Sequence, residues 1–164
     1  LLNNSVMMAY VAPRGIGPTI WDQTEKKQVQ HQRRFYLLGE SLESMQVWDV
    51  RRAIQAVTTV TGHNNETKTT LQATGRMAGV SLYAALFQNG IAELHLTHLP
   101  SSHRNGPYFF NVSRICDIPQ IALVVADQTP LFLHDVDDDG FKHATDSVRH
   151  MDWKQPRLII TTNK

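Results

Sequence analysis

An α/β fold, with helices covering a mainly parallel sheet of about five strands in a three-layer α/β/α sandwich, is the fold class the sequence predicts. Two observations predict it. Short apolar runs of strand character alternate with segments of helical spacing, and a strand, a helix and a further strand close as a right-handed crossover between parallel neighbours. No repeat, low-complexity tract or linker interrupts this order, so 164 residues with 41% apolar side chains read as one domain, residues 1–164.

The elements follow in turn. "VMMAYVAP" is a continuous apolar run ended by Pro13, Arg14 and Gly15, and predicts a buried strand over residues 6–12. From Thr24 to Val57 the pattern is helical, with Leu42, Met45, Val47 or Trp48, Ile54 and Val57 near one face. "TTLQATG" predicts a second strand, "MAGVSLYAALF" a helix and "IAELHLTHLP" a third strand stopped by Pro100. "PYFFNVSRIC" and "PQIALVVAD" predict two short helices, each with proline at a favourable first position. "TPLFLHD" is the fourth strand, "ATDSVRHM" a short helix and "RLIITT" the fifth strand. In such a sheet ligands collect at the carboxyl ends of the strands, here the turns after Pro13, Thr74, His98 and Asp135.

Composition narrows the partners. Sixteen basic against fifteen acidic residues leave a formal charge of +1, which gives no reason to expect nucleic acid or an anionic membrane. No apolar run approaches the roughly 18 residues that cross a bilayer, and no targeting signal precedes the first strand. The single Cys116 has no internal disulfide partner and sits among apolar neighbours, as a buried inert thiol does. Three N-x-[ST] sequons, at Asn3, Asn65 and Asn111, carry weight only in a secreted protein. The chain does not begin with Met and enters a strand at once, so it reads as a piece of a longer chain.

"ATGRMAG", residues 73–79, is a glycine turn between a strand and a helix. It matches the G-x-S-x-G nucleophile elbow except that Met77 stands at the nucleophile position, where an inherited elbow predicts a strained positive φ, whereas an unrelated glycine turn predicts Met77 as an ordinary first-turn helix residue facing the core. The order of motifs around it, from "AYVAPRGIGPT" through "LLGESLESMQVWDVRRAIQAV" and "LQATGRMAGVSLYAALF" to "TPLFLHDVDDDGF", resembles the α/β-hydrolase superfamily. Within that superfamily it is similar to the acetyl-xylan-esterase-like and dienelactone-hydrolase-like enzymes, over roughly residues 6–162. The resemblance implies carboxylic ester hydrolysis on an acylated carbohydrate, without a cofactor, and places the triad acid at Asp135. It also implies that the strand whose loop donates an oxyanion-hole N–H lies before residue 1 and the triad histidine after Lys164. A strand absent from this chain separates residues 6–12 from residues 69–75 in the intact family fold. A thioether has no proton to lose and cannot be acylated, so the expectation is a catalytically degenerate esterase.

The remaining candidates are weighed by chemistry. Ser41 in "GES" is either a substitute nucleophile or a helix N-cap, and Glu43 crowds the turn that a nucleophile needs. Ser81 lies one turn into the helix after the elbow. Ser102 and His103, in the loop after a strand, could serve as a substrate-binding hydroxyl and a catalytic base, although adjacent residues rarely make a nucleophile and base pair. Arg14, Arg76 and His103 offer an edge for an anionic or sugar ligand, which supports a competing reading as a non-catalytic binding module. His95 and His98 fall on opposite faces of a strand and make no metal pair. No metal is expected, with one alternative: Asp135, Asp137, Asp139, Gly140 and Asp146 fit the start and close of a calcium loop. The partners expected are a small-molecule or carbohydrate ester and the remainder of a longer chain or a second copy.

Overall fold

The computed structural model describes residues 7–61 and 68–161. Four strands form one sheet: β1 (Thr69–Thr74), β2 (Ile91–Thr97), β3 (Leu131–His134) and β4 (Leu158–Thr161). They lie in chain order, and every neighbouring pair is parallel. The links between them are α3 (Arg76–Leu86), α4 (Ile118–Gln128) and α5 (Asp138–Val148), preceded by α1 (Glu25–Leu37) and α2 (Leu42–Thr61). Because each crossover joins adjacent strands in the same order, right-handed connections put the crossover helices on one side. The packing agrees, since α2 rests on α3, α3 on α4 and α4 on α5.

The core lies between those helices and one face of the sheet. Leu94, Leu96, Leu131 and Leu133 are fully buried there beside Leu82, Ile118 and Phe141. In β2 and β3 the buried residues alternate with partly open ones, the period of a strand with one covered face. The other face carries Thr70, Gln72, His95, Thr97, Phe132, His134 and Ile159, all at least partly open to solvent.

Among the described residues the sheet therefore has four strands, and residues 7–12 of the strand expected at 6–12 form none. Val6 lies outside the described residues, and residues 7–12 are exposed and belong to no strand, helix or turn. Composition favours a strand there, but a strand exists only with a ladder partner. The helical stretch from Thr24 divides into α1 and α2 at Gly39, whose positive φ of +78° is a conformation that stops a helix. On α2, Val47 is the buried member of the Val47/Trp48 pair, and Trp48 stays exposed with the Arg52 guanidinium 3.8 Å above its ring. The helix expected over "PYFFNVSRIC" shrinks to a 3-10 turn, Val112–Arg114, because Asn111 adopts a left-handed conformation. The helix expected at "ATDSVRHM" starts earlier, at Asp138, with two acidic residues in its first turn complementing the helix dipole.

Candidate functional site

Three consecutive strands leave the sheet at its carboxyl edge through the same backbone step. Gly75, His98 and Asp135 each follow the last residue of a strand with φ of +59°, +53° and +51°. Each still donates its N–H to the end of the next strand, Gly75 to Thr97, His98 to His134 and Asp135 to Thr161, all at 2.9 Å. The left-handed step turns the chain without breaking the ladder. It comes freely to glycine, and among other residues Asp and His tolerate it better than most.

This geometry locates the strained residue of the glycine turn. Gly75, with φ +59° and ψ −129°, is the N-cap of α3, whereas Met77 is an ordinary residue of the first helical turn with no positive φ. The expectation that Met77 sits in the strained position is therefore corrected: the sharp strand-to-helix step belongs to Gly75, and Met77 stands where an unrelated glycine turn would put it. A Cβ added at Gly75 would meet nothing within 4 Å. Gly79 has a different role from easing that turn, because a Cβ there would come within 2.4 Å of Pro107 Cδ. Met77 is half-buried against the core and lines a groove formed with residues 7–13 and β1. Asp135 directly follows β3, two strand positions from Gly75, roughly 10 Å across the sheet.

The loop after β2 is held by Asp117, the N-cap of α4. Its carboxylate accepts the Ser102 hydroxyl at 2.8 Å, the His103 N–H at 2.7 Å and the Ile118 N–H at 2.9 Å. Gln120 completes a capping box by accepting the Asp117 N–H at 3.0 Å. Burial raises the Asp117 carboxyl, but the three donors outweigh it and hold the group below the ordinary carboxylate range. His103 Nδ1 donates to the Pro107 carbonyl at 2.9 Å, since a carbonyl can only accept. Its Nε2 is then the acceptor for the Tyr83 hydroxyl, also at 2.9 Å. Burial, with Cys116 and Asp117 close by, pushes the Tyr83 phenol well above its usual value. Both ring nitrogens of His103 are thus engaged, and the Ser102 hydroxyl turns to Asp117 rather than to His103.

The two arginines expected at the site are matched with carboxylates of one helix, α2. Arg14 grips Asp49 through Nε at 2.8 Å, Nη2 at 2.6 Å and its own N–H at 3.0 Å. The clamp lowers the Asp49 carboxyl and raises the Arg14 guanidinium. It forms one wall of an open cavity of about 540 Å³ that also includes Trp21 and Phe35. Arg76, the first residue of α3, donates to buried Glu43 at 2.8 Å. Ser41 caps α2: it accepts the Ser44 N–H while Ser44 accepts its own, both at 3.1 Å, so the capping reading of Ser41 is the one the geometry carries. Ser81 is buried in α3, and Cys116 is half-buried beside Tyr83.

The alternative calcium loop does not form. Residues 138–148 are helical, which turns Asp139 and Asp146 along a helix instead of around one cation. Among the described residues no three His, Cys, Asp or Glu side chains are grouped to hold a metal. Gly140 is needed in that helix, since a Cβ would come within 2.3 Å of Ser101 Cβ. Of the sequons, Asn3 and Asn65 lie outside the described residues, and Asn111 is exposed.

Two groupings escaped the sequence. On the open face of the sheet, His95 stacks on Phe132 with centroids 4.4 Å apart and rings 2° from parallel. It also meets His134 Nε2 at 3.2 Å through Nδ1 and Glu93 Oε2 at 3.3 Å through Nε2. Elsewhere Tyr36, Tyr108 and Phe110 touch one another with centroids 5.5–5.6 Å apart and remain partly exposed. Burial, then the Glu43 charge, raises the Tyr36 phenol, which puts this aromatic cluster near the Glu43–Arg76 pair. Strand register, read forward from the apolar runs, was the one signal that could have paired His95 with Phe132. No family model, no curated protein and no solved structure matches this chain.

Proposed function

We propose that the chain is an α/β-hydrolase-like domain resembling acetyl xylan esterases, catalytically degenerate, with its ligand edge at the carboxyl ends of β1 to β3. One observation carries this reading: a left-handed residue stands between a buried-face strand and its helix, with open space where a side chain would project, and that residue is glycine. A nucleophile elbow needs that strained step so that a hydroxyl clears the sheet. With Gly75 at the step and Met77 two residues on, neither position can form an acyl intermediate.

The test uses an acetylated nitrophenol and a fluorophosphonate that labels activated serines. The parent chain is expected to hydrolyse the ester no faster than buffer and to gain no phosphonate mass. Turnover abolished by the phosphonate would overturn the degeneracy. The Gly75→Ser variant is expected to fold, at a cost of roughly 1–2 kcal/mol for a serine at positive φ, because open space surrounds the added side chain, and to stay unlabelled while the triad histidine is lacking. A Gly75→Ser variant that does not fold would overturn the elbow reading. A non-catalytic binding module is less well supported, since Arg14, Arg76 and His103 are already matched with Asp49, Glu43 and Tyr83.

A further inference from the structure

Among the described residues β1 is an edge strand, paired with β2 alone, and its outer side faces a groove of about 430 Å³. The groove is lined by Thr70 and Gln72 of β1, by Met7 and Tyr10, and by Val50 and Ile54 of α2. The Gly75 N–H points to β2, so the alternation of a strand turns the backbone groups of Thr70, Gln72 and Thr74 outward, toward the groove. Along the same groove, residues 7–12 are apolar and in no helix, turn or ladder. Met7, Met8 and Tyr10 are 60%, 69% and 90% exposed. An edge with free ladder groups and an unpaired apolar segment are each a liability in water, and each is what the other lacks. Within one molecule they line the groove without closing it.

We propose that the groove is filled by residues 7–12 of a second copy of this chain, and that the exchange is reciprocal. A polypeptide strand would satisfy the outward groups of β1 in ladder geometry, and this chain carries an apolar segment outside any ladder that is as long as β1 itself. A two-fold axis makes the arrangement self-consistent. Across the junction the order becomes β1, the second copy's segment, the first copy's own segment, and the second copy's β1. Each groove then holds the other molecule's segment, and both edges close at once, so the product is a closed dimer and not a fibre. The two four-stranded sheets become one sheet through the junction.

Sedimentation velocity at micromolar concentrations tests this, with two variants that act on opposite partners of the exchange. Gln72→Pro removes an outward-facing edge donor, a position where a strand tolerates proline. A double variant, Met8→Lys with Tyr10→Lys, charges the donated segment at positions that are exposed and outside the core. The parent chain is expected to be a dimer, and either change should weaken it by about tenfold or more, the loss of a ladder contact and its side-chain pairs. Far-UV circular dichroism should stay that of the parent. Hydrogen exchange should show the Thr70 and Gln72 amides protected in the parent and open in the lysine variant. A parent chain that is monomeric throughout, or a dimer indifferent to both variants, overturns the proposal.

Discussion

Leu94, Leu96, Leu131 and Leu133 point into the helices and expose no surface, whereas His95, Phe132 and His134, their neighbours in the same strands, point away and stay partly open. One backbone thus serves two environments. On the helix side, alternate residues are apolar and sealed, and the free energy of the fold is concentrated there. On the other side the residues, Ile159 apart, are polar or aromatic, and they interact across strands instead of within a core. The contrast teaches where tolerance should lie: changes on the first face should be felt by the whole domain and changes on the second by their immediate neighbours.

The largest effect expected is on the covered face. Leu133 has no exposed surface and lies in β3, with a parallel strand on each side. Leu133→Ala should lower stability by about 2–5 kcal/mol, the loss of buried methyl groups plus the cavity they leave. Urea unfolding followed by tryptophan fluorescence measures it. A loss below about 1 kcal/mol would mean that the helices do not seal this face as tightly as the geometry shows.

Which parts were legible beforehand follows the same division. The apolar runs at residues 69–75, 91–100, 129–135 and 157–162 each contain an observed strand, because a strand buried on one side or both writes its pattern locally. Residues 6–12 carry an equally apolar run, and residues 7–12 form no strand, since pairing is a long-range property that no window of sequence contains. The elbow was half legible. "ATGRMAG" marks a turn between strand and helix, but which residue takes the left-handed step depends on where the ladder stops, and it stops at Thr74, making Gly75 the strained residue. The candidate site residues were sought in short motifs, and the contacts that engage them span 14 residues from His103 to Asp117 and 33 from Arg76 to Glu43. The Tyr36–Tyr108 cluster joins residues further apart still.

A second break in the comparison lies where α3 meets the loop after β2. Gly79 is on the sealed side, and a methyl group there would fall 2.4 Å from Pro107 Cδ, on a rigid ring that is itself buried. Gly79→Ala should therefore destabilise by about 1–3 kcal/mol, as overpacking does, although alanine favours a helix by up to about 1 kcal/mol over glycine. An increase in stability would show that the loop from Pro100 to Pro107 yields, and that the carboxyl edge is softer than its hydrogen bonds suggest.

Asp117 tests the loop electrostatically. Its folded carboxyl lies below the ordinary range, so the sign of the linkage is fixed: its contribution is present above the unfolded value near 3.9 and is lost as pH falls through the folded one. Asp117→Ala should cost about 0.5–2 kcal/mol near neutral pH, mostly as a lost helix cap, and should shallow the acid limb of the stability profile. Asp49, lowered by the Arg14 clamp, acts in the same window, so the limb should shrink without vanishing. A profile unchanged between the parent and Asp117→Ala would remove Asp117 from the acid transition.

The smallest effect belongs to the open face, and it sharpens the contrast most. His95 stacks on Phe132 and meets His134 and Glu93, yet all four side chains keep solvent contact. Cross-strand pairs of this kind contribute about 0.2–1 kcal/mol, and the histidine hydrogen bonds can be exchanged for water without leaving a buried group unsatisfied. His95→Ala should therefore lower stability by no more than about 1 kcal/mol, several times less than Leu133→Ala in the adjacent strand. Urea unfolding of the two variants side by side makes the measurement independent of any absolute value. Equal losses would mean that in solution something covers this face as completely as the helices cover the other, and Phe132 and Ile159 would then have to be counted as core.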